Sequence, residues 1–178
     1  MSAISYETED KRARVLLANS DGTYTVLNLG ANGSLGSKVM SGKWEGVDDL
    51  TSLGMLGGKL VAVDSKGLKV FKVTAEGWEF DRDFELHPKV DFVHGDGKRL
   101  VMSHTEAGRV SVLKNLEEKP IFYEGLSEPK AVAIQGNRVV VYESGKQHLL
   151  KLEIVDATPL SGVGPQRMFE MIQSIGPE

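Results

Sequence analysis

The sequence predicts an all-β chain of four strand repeats, each roughly forty residues long. Three observations predict it. Four segments align: residues 14–22 (RVLLANSDG), 59–67 (KLVAVDSKG), 99–108 (RLVMSHTEAG) and 138–145 (RVVVYESG). Each starts with a basic residue, continues as an apolar run and ends in a polar turn whose glycine falls at 22, 67, 108 or 145. Strand-forming β-branched and aromatic residues dominate between the turns, and helical periodicity is absent from residues 3–154.

Each repeat resolves into strands in the same order. An inner strand comes first: residues 3–7, 50–56, 90–93 and 131–134. The last three lead into the apolar run through Gly57-Gly58, Gly95-Asp96-Gly97 and Gly136-Asn137, the residues that tight hairpins use because they tolerate positive φ. The apolar run is the second strand. Continuous apolar runs, rather than alternation, belong to strands covered on both faces. Within each run the second apolar position, namely Leu16, Val61, Val101 and Val140, is expected to be almost fully buried. A third, amphipathic strand follows: residues 23–29, 68–73, 109–114 and, less regularly, 149–154. A polar outer strand follows in three copies, at residues 37–44, 78–84 and 120–124. Polarity rises outward, as in the blades of a β-propeller.

The third strands resemble those of the WD40 family. Residues 21–29 (DGTYTVLNL) look like the end of such a repeat, with Leu27, Phe71 and Leu113 where that family carries tryptophan, and Asn28, Lys72 and Lys114 where it carries aspartate. No copy keeps the Trp-Asp pair and no Gly-His pair opens a blade, so the resemblance rests on spacing and turn chemistry over residues 3–155. It implies a WD40-like β-propeller and an interaction platform.

The predicted organisation is a four-blade propeller, or half of one, over residues 1–155, followed by a loop and short helix over 156–178. Pro159, Gly162, Gly164 and Pro165 argue against a strand, whereas Met168, Ile172 and Ile175 fall on one helical stripe that Gly176-Pro177 ends. On this reading the fourth blade lacks an outer strand, because residues 3–7 already serve as the inner strand of the first. Completion by another chain is then expected, most simply a two-fold dimer joining two four-blade halves.

Composition narrows the chemistry. The net charge of −4 argues against broad nucleic-acid binding, which needs a cationic surface. The absence of cysteine excludes disulfides, thiolate-bound metals and thiol catalysis. No signal-like segment and no bilayer-length apolar run occurs, so a cytoplasmic location without membrane association is expected. The glycines at 30, 33 and 36 lack both the spacing and the helix of a phosphate-binding loop. His87, His94, His104 and His148 form no pair at metal-ligand spacing, no calcium loop is present, and Gly-x-Ser-x-Gly is missing. No metal, no cofactor and no enzymatic activity are expected.

The function expected from these observations is a non-catalytic protein-interaction module or scaffold subunit, its partner another protein or a second copy. The alternative is a small-ligand or carbohydrate-binding propeller. A site repeated in every blade is disfavoured, because the polar turn residues differ between copies. Candidate partner-binding residues lie in loops before inner strands and after central strands: Trp44, Asp48, Asp49, Asp64, Lys66, His87, Lys89, His104, Glu106, Glu128 and Lys130. Trp44 is either an exposed aromatic anchor or a tryptophan packed between two blades.

Overall fold

A computed structural model describes residues 1–8, 11–74, 77–157 and 166–176. Sixteen strands form four antiparallel four-stranded sheets, each a simple meander. Blade 1 contains β1 (Ser2–Glu7), β2 (Ala13–Ala18), β3 (Thr23–Leu29) and β4 (Leu35–Lys43). Blade 2 contains β5 (Ser52–Leu56), β6 (Lys59–Asp64), β7 (Gly67–Val73) and β8 (Trp78–Phe84). Blade 3 contains β9 (Phe92–Gly95), β10 (Leu100–His104), β11 (Arg109–Leu113) and β12 (Ile121–Glu124). Blade 4 contains β13 (Pro129–Gln135), β14 (Arg138–Glu143), β15 (His148–Ala157) and β16 (Gln166–Ile175).

The predicted C-terminal helix is not formed. The segment is β16, which pairs antiparallel with β15 from Leu149↔Ile175 to Ala157↔Gln166. The helical stripe in the sequence is real, but a helix of this length has little stability alone. The open edge of β15 offers a full ladder of backbone hydrogen bonds instead, and pairing prevails over local periodicity. The fourth blade therefore has its outer strand, which removes the unpaired edge expected there. Residues 158–165, with their prolines and glycines, lie outside the described residues.

Three apolar clusters hold the blades in chain order. Leu16, Ala18, Tyr24 and Val26 of blade 1 meet Leu53, Leu60, Ala62 and Phe71 of blade 2. Val61, Val63, Leu68 and Val70 on the opposite face of blade 2 meet Val90, Val93, Leu100 and Met102 of blade 3. Val101, Val110 and Val112 meet Val132, Ile134, Val139, Val141 and Leu152 of blade 4. The inner strands follow the same sequence, β1 on β5, β5 on β9, β9 on β13. Among the described residues no cluster runs from blade 4 back to blade 1. The four blades form an arc with two end faces.

The arc explains one departure from expectation. Leu16, Val61 and Val101 are fully buried as predicted, but Val140 is only half-buried. In blade 4 the covered residues are Val139 and Val141, which face blade 3. Val140 lies on the other face, with Tyr142.

The inner strands come very close where the arc is tightest. An added Cβ on Gly95 would sit 2.2 Å from the carbonyl oxygen of Met55, so only glycine fits in β9 at its crossing with β5. Just beyond, the amide of Gly57 donates to the Gly97 carbonyl at 2.8 Å and the Gly97 amide donates to that of Met55 at 3.1 Å. Gly97, at φ +87°, turns the hairpin that makes this possible.

Two expectations follow for urea unfolding. Val61→Ala should cost about 1–3 kcal/mol, whereas Val140→Ala should cost under about 1 kcal/mol, because only the first leaves a closed cavity. Gly95→Ala should cost about 2 kcal/mol or more through overpacking against Met55. An unchanged midpoint for Gly95→Ala would show that β5 and β9 are not in this contact.

Candidate functional site

The concave side of the arc carries a cleft of about 1150 Å³. Its walls are β1 on one side, the hairpin residues Gly58 and Gly95–Lys98 at the back, and β13 with the start of β14 on the other. Lys151 and Gln173 extend that last wall. Inner strands and the hairpins joining them to central strands form most of the cleft, and on the blade 4 side it runs out over one face of β14, β15 and β16.

His94 is fixed there by the fold. It projects from β9 on the same face as Val101, toward blade 4, and its Nδ1 accepts a hydrogen bond from the amide of Ile134 at 3.2 Å. That amide sits on the inner edge of β13, where no further strand can pair with it. The bond makes Nδ1 an acceptor, so the neutral ring carries its proton on Nε2. Burial lowers the His94 pKa, and the nearby Asp96 carboxylate only partly opposes this. Asp96 itself is committed to backbone. Its carboxylate accepts from the amides of Lys98 at 2.9 Å, Arg99 at 2.8 Å and Gly136 at 2.8 Å. Burial alone would raise its pKa, but these amide bonds and the Arg99 charge hold it below the usual range. Arg99 in turn donates to the Gly136 carbonyl and the Asn137 side chain, locking blade 3 to the blade 4 hairpin.

Lys98 and Lys151 supply positive charge. Neither has a carboxylate partner among the described residues, and Lys151 donates to Gln173 Oε1 at 2.6 Å. Gln135 and Ser5 add uncharged polar groups. Glu7 and Arg138 stand on the two opposite walls. Among the described residues no cluster of three or more His, Asp or Glu is arranged to hold a metal ion.

The residues singled out in the sequence lie at the other rim, and the structure spreads them around it. Trp44 is 3% exposed and stacks between Tyr24, at a centroid distance of 4.7 Å, and Phe71, at 4.8 Å, within the core that joins blades 1 and 2. Asp64 is buried and accepts from the amides of Lys66 at 2.8 Å and Gly67 at 3.0 Å, closing the β6–β7 turn. It also accepts from the amide of Asp48 at 3.3 Å, tying down the preceding loop. His104 is buried; its Nδ1 donates to the carbonyls of Pro88 and Lys89 and its Nε2 accepts from Ser111 Oγ at 2.7 Å. Glu128 receives the amide and hydroxyl of Ser144 on its carbonyl. Asp48, Asp49, Glu106 and Lys130 are exposed at separate turns. Asp48 and Lys66 meet at Asp64 and Lys89 meets His104 through these backbone bonds, and Lys66, His87 and Lys89 line a groove of about 500 Å³ beside β8.

The sequence reading missed the cleft residues His94, Asp96, Lys98, Gln135 and Lys151 as a group. The available signal was the hairpin at 95–97 together with the small, alternating side chains of residues 131–135, which leave space on one face of β13.

No family model matches the sequence, and no curated protein matches it. Solved structures match its fold. One is a Bacteroides fragilis protein provisionally named a 6-phosphogluconolactonase, with a TM-score of 0.58 and 12% identity, over 99% of this chain and 56% of that one. A Bacteroides uniformis protein with the same provisional name gives 0.56 and 14%, over 99% and 57%. A chain of an inhibitor-bound Chaetomium thermophilum Polycomb Repressive Complex 2 gives 0.57 and 10%, over 98% and 47%. The chain thus spans about half the length of the structures it matches. These likenesses bear out a four-blade, propeller-like arrangement; no family model carries the WD40 resemblance. No helix among the described residues is long and apolar enough to cross a membrane. The expected protein-interaction scaffold is corrected by these findings: two of the similar structures are named for action on a small sugar lactone, and this fits the small-ligand alternative better.

The two histidines set a pH dependence. Burial lowers the pKa of both His94 and His104 below the ordinary 6.5. The unfolded chain therefore binds protons first as pH falls through about 6.5, and stability present above that pH is lost below it. Urea midpoints should fall between about pH 7.5 and 5.5, and less steeply in His94→Gln. A His94→Gln slope equal to that of the parent would show that His94 is not held neutral.

Proposed function

We propose that the chain is a propeller segment that binds a small, anionic, polyhydroxylated ligand in the cleft along its inner strands. The observation that supports this most is a lysine without a carboxylate partner set beside fixed donors there. Lys98 faces the cleft without a carboxylate partner, Lys151 stands farther out on β15 bonded to Gln173, and the ionised Asp96 carboxylate at the back is occupied by three amides. On the lining as a whole, the cations Lys98, Arg138 and Lys151 outnumber the carboxylates Glu7 and Asp96, which favours an anion. His94 keeps its Nε2–H available as a neutral donor, because Nδ1 is occupied by Ile134. Gln135 and Ser5 suit hydroxyl groups.

The ligand class follows from this chemistry together with the neighbours' name. A 6-phosphogluconolactonase is named for the lactone of a phosphorylated sugar acid, a compound of this class. The reading is one of binding, carried by the charge and the hydrogen-bonding groups of the cleft. The WD40-like character of the repeats remains part of the same proposal, as a description of blade geometry.

Isothermal calorimetry with 6-phosphogluconate provides the test. Saturable binding is expected, weakened about tenfold or more by Lys98→Ala, since a hydrogen bond to a charged group is worth about 1.5–3 kcal/mol. Gluconate should bind more weakly than its phosphate ester, and Lys66→Ala at the opposite rim should leave affinity unchanged. Absence of binding at millimolar ligand, or an affinity untouched by Lys98→Ala, would overturn the assignment.

A further inference from the structure

Blades 1 and 4 each keep one face that no other blade of this chain covers. We propose that these faces pack on one another between two copies, so that two four-blade arcs close into a single eight-blade ring around a shared channel. The closure itself stands on the sheet faces; it rests on the preceding reading only in that His94 and Lys98, at the inner hairpin, line the shared channel, whereas Lys151 and Gln173 lie on the blade 4 face that the second copy covers.

The first argument is the composition of the end faces. On central strands, the covered faces carry Leu60 and Ala62, Leu100 and Met102, Val139 and Val141 toward the preceding blade. Toward the following blade they carry Leu16 and Ala18, then Val61 and Val63. Blade 1 continues the first series with Val15 and Leu17, and blade 4 continues the second with Val140 and Tyr142. A sheet face turned to water ordinarily alternates to polar residues, and the terminal units of repeat arrays carry polar outer faces. At the middle of their second strands both ends of this arc stay apolar, with Ser5, Thr25 and Lys38 around that centre on blade 1 and Arg138, Lys151 and Gln173 around it on blade 4. On blade 4, Tyr142, Leu149 and Ile175 share the face and are 37%, 42% and 46% exposed.

The second argument is charge. On blade 1, Glu7 closes the inner strand and Lys38, partner of Leu27, stands on the outer strand of the same face. On blade 4, Arg138 opens the central strand at the corresponding end, and Glu153, its cross-strand partner, stands farther out. Blades in this structure stack inner strand on inner strand and outer on outer, as β9 with β13 and β12 with β16 do. Stacked in that way, blade 1 of one copy sets Glu7 toward Arg138 and Lys38 toward Glu153 of the other. Opposite signs meet at both radii, around an apolar centre of Val15, Leu17 and Leu27 against Val140, Tyr142 and Leu149.

The third argument is the arc. Among the described residues the arc ends in two uncovered sheet faces, one on blade 1 and one on blade 4. A second copy brings a blade 1 face and a blade 4 face together, and a two-fold axis along the channel closes both junctions at once.

Light scattering on the full chain across a concentration series tests this. The expected mass is twice the 19.4 kDa of one chain. Leu17→Glu and Val140→Glu should each shift the mass to that of one chain while the far-ultraviolet β spectrum is kept. Lys38→Glu and Glu153→Lys should each weaken dimerisation by up to about tenfold, and the double reversal should restore it. If the glutamate variants fail to fold, the charge swap decides. A parent chain that stays at 19.4 kDa at every concentration overturns the proposal, as does a dimer indifferent to both face substitutions and to the swap. Calorimetry with 6-phosphogluconate on the same samples separates the two readings. A dimer without binding refutes the ligand and leaves the ring, and a single chain that binds refutes the ring and leaves the ligand.

Discussion

The inner strands have edges that no strand can pair, and the structure depends on how those edges are satisfied. An unpaired amide at the centre of a packed domain costs as much as a lost hydrogen bond. Here each blade reaches across to the next. Ser52 Oγ accepts from the amide of Val93 at 2.9 Å, and His94 Nδ1 accepts from the amide of Ile134 at 3.2 Å. Ser2 donates to the Thr51 carbonyl at 3.0 Å. These short ties require the inner strands to approach closely, which is why glycine stands at 54 and 95. Blade spacing at the axis is thereby set, and the three apolar clusters fill the space that opens outward.

The same convergence produces the cleft. Inner strands that meet at an angle leave a concave wall lined by their edges and by the hairpin tips. The hairpin tip of blade 3 is rigid because Asp96 gathers three amides, one of them from blade 4. A rigid tip beside Lys98 is what the proposed anion site needs in order to bind at little ordering cost. The opposite rim uses its polar residues differently. Asp64, His104 and Glu143 spend their hydrogen-bonding capacity on closing turns and anchoring loops. Glu143 is buried and engaged by the Ser127 amide and by His148, so it belongs to the scaffold.

Most of the strand order was legible in the sequence, because turn glycines and apolar runs report local geometry. The third strand of blade 1 and the outer strand of blade 2 fall on residues 23–29 and 78–84 as read. What was not legible depends on distant partners. Residues 166–175 carry a helical stripe, and only the waiting edge of β15 makes them a strand. Val140 belongs to an apolar run like the other three, but the run has a covered face on one side only, since blade 4 ends the arc. Trp44 sits in a connection, yet the stacked rings of Tyr24 and Phe71 draw it inward. The cleft escaped notice because its residues come from three blades and have no shared motif.

The central claim is that blades 1 and 4 of one chain do not pack on each other. The chain has no cysteine, so two can be introduced uniquely at Ser5 and Ala133, which lie on the inner strands of those blades and line the cleft from opposite walls. Spin labels there, in doubly labelled chains diluted into unlabelled protein, report the distance within one chain. The arc predicts a separation well beyond the about 10 Å at which packed sheets sit. A distance in the contact range would show a four-blade ring closed on itself and contradict the account.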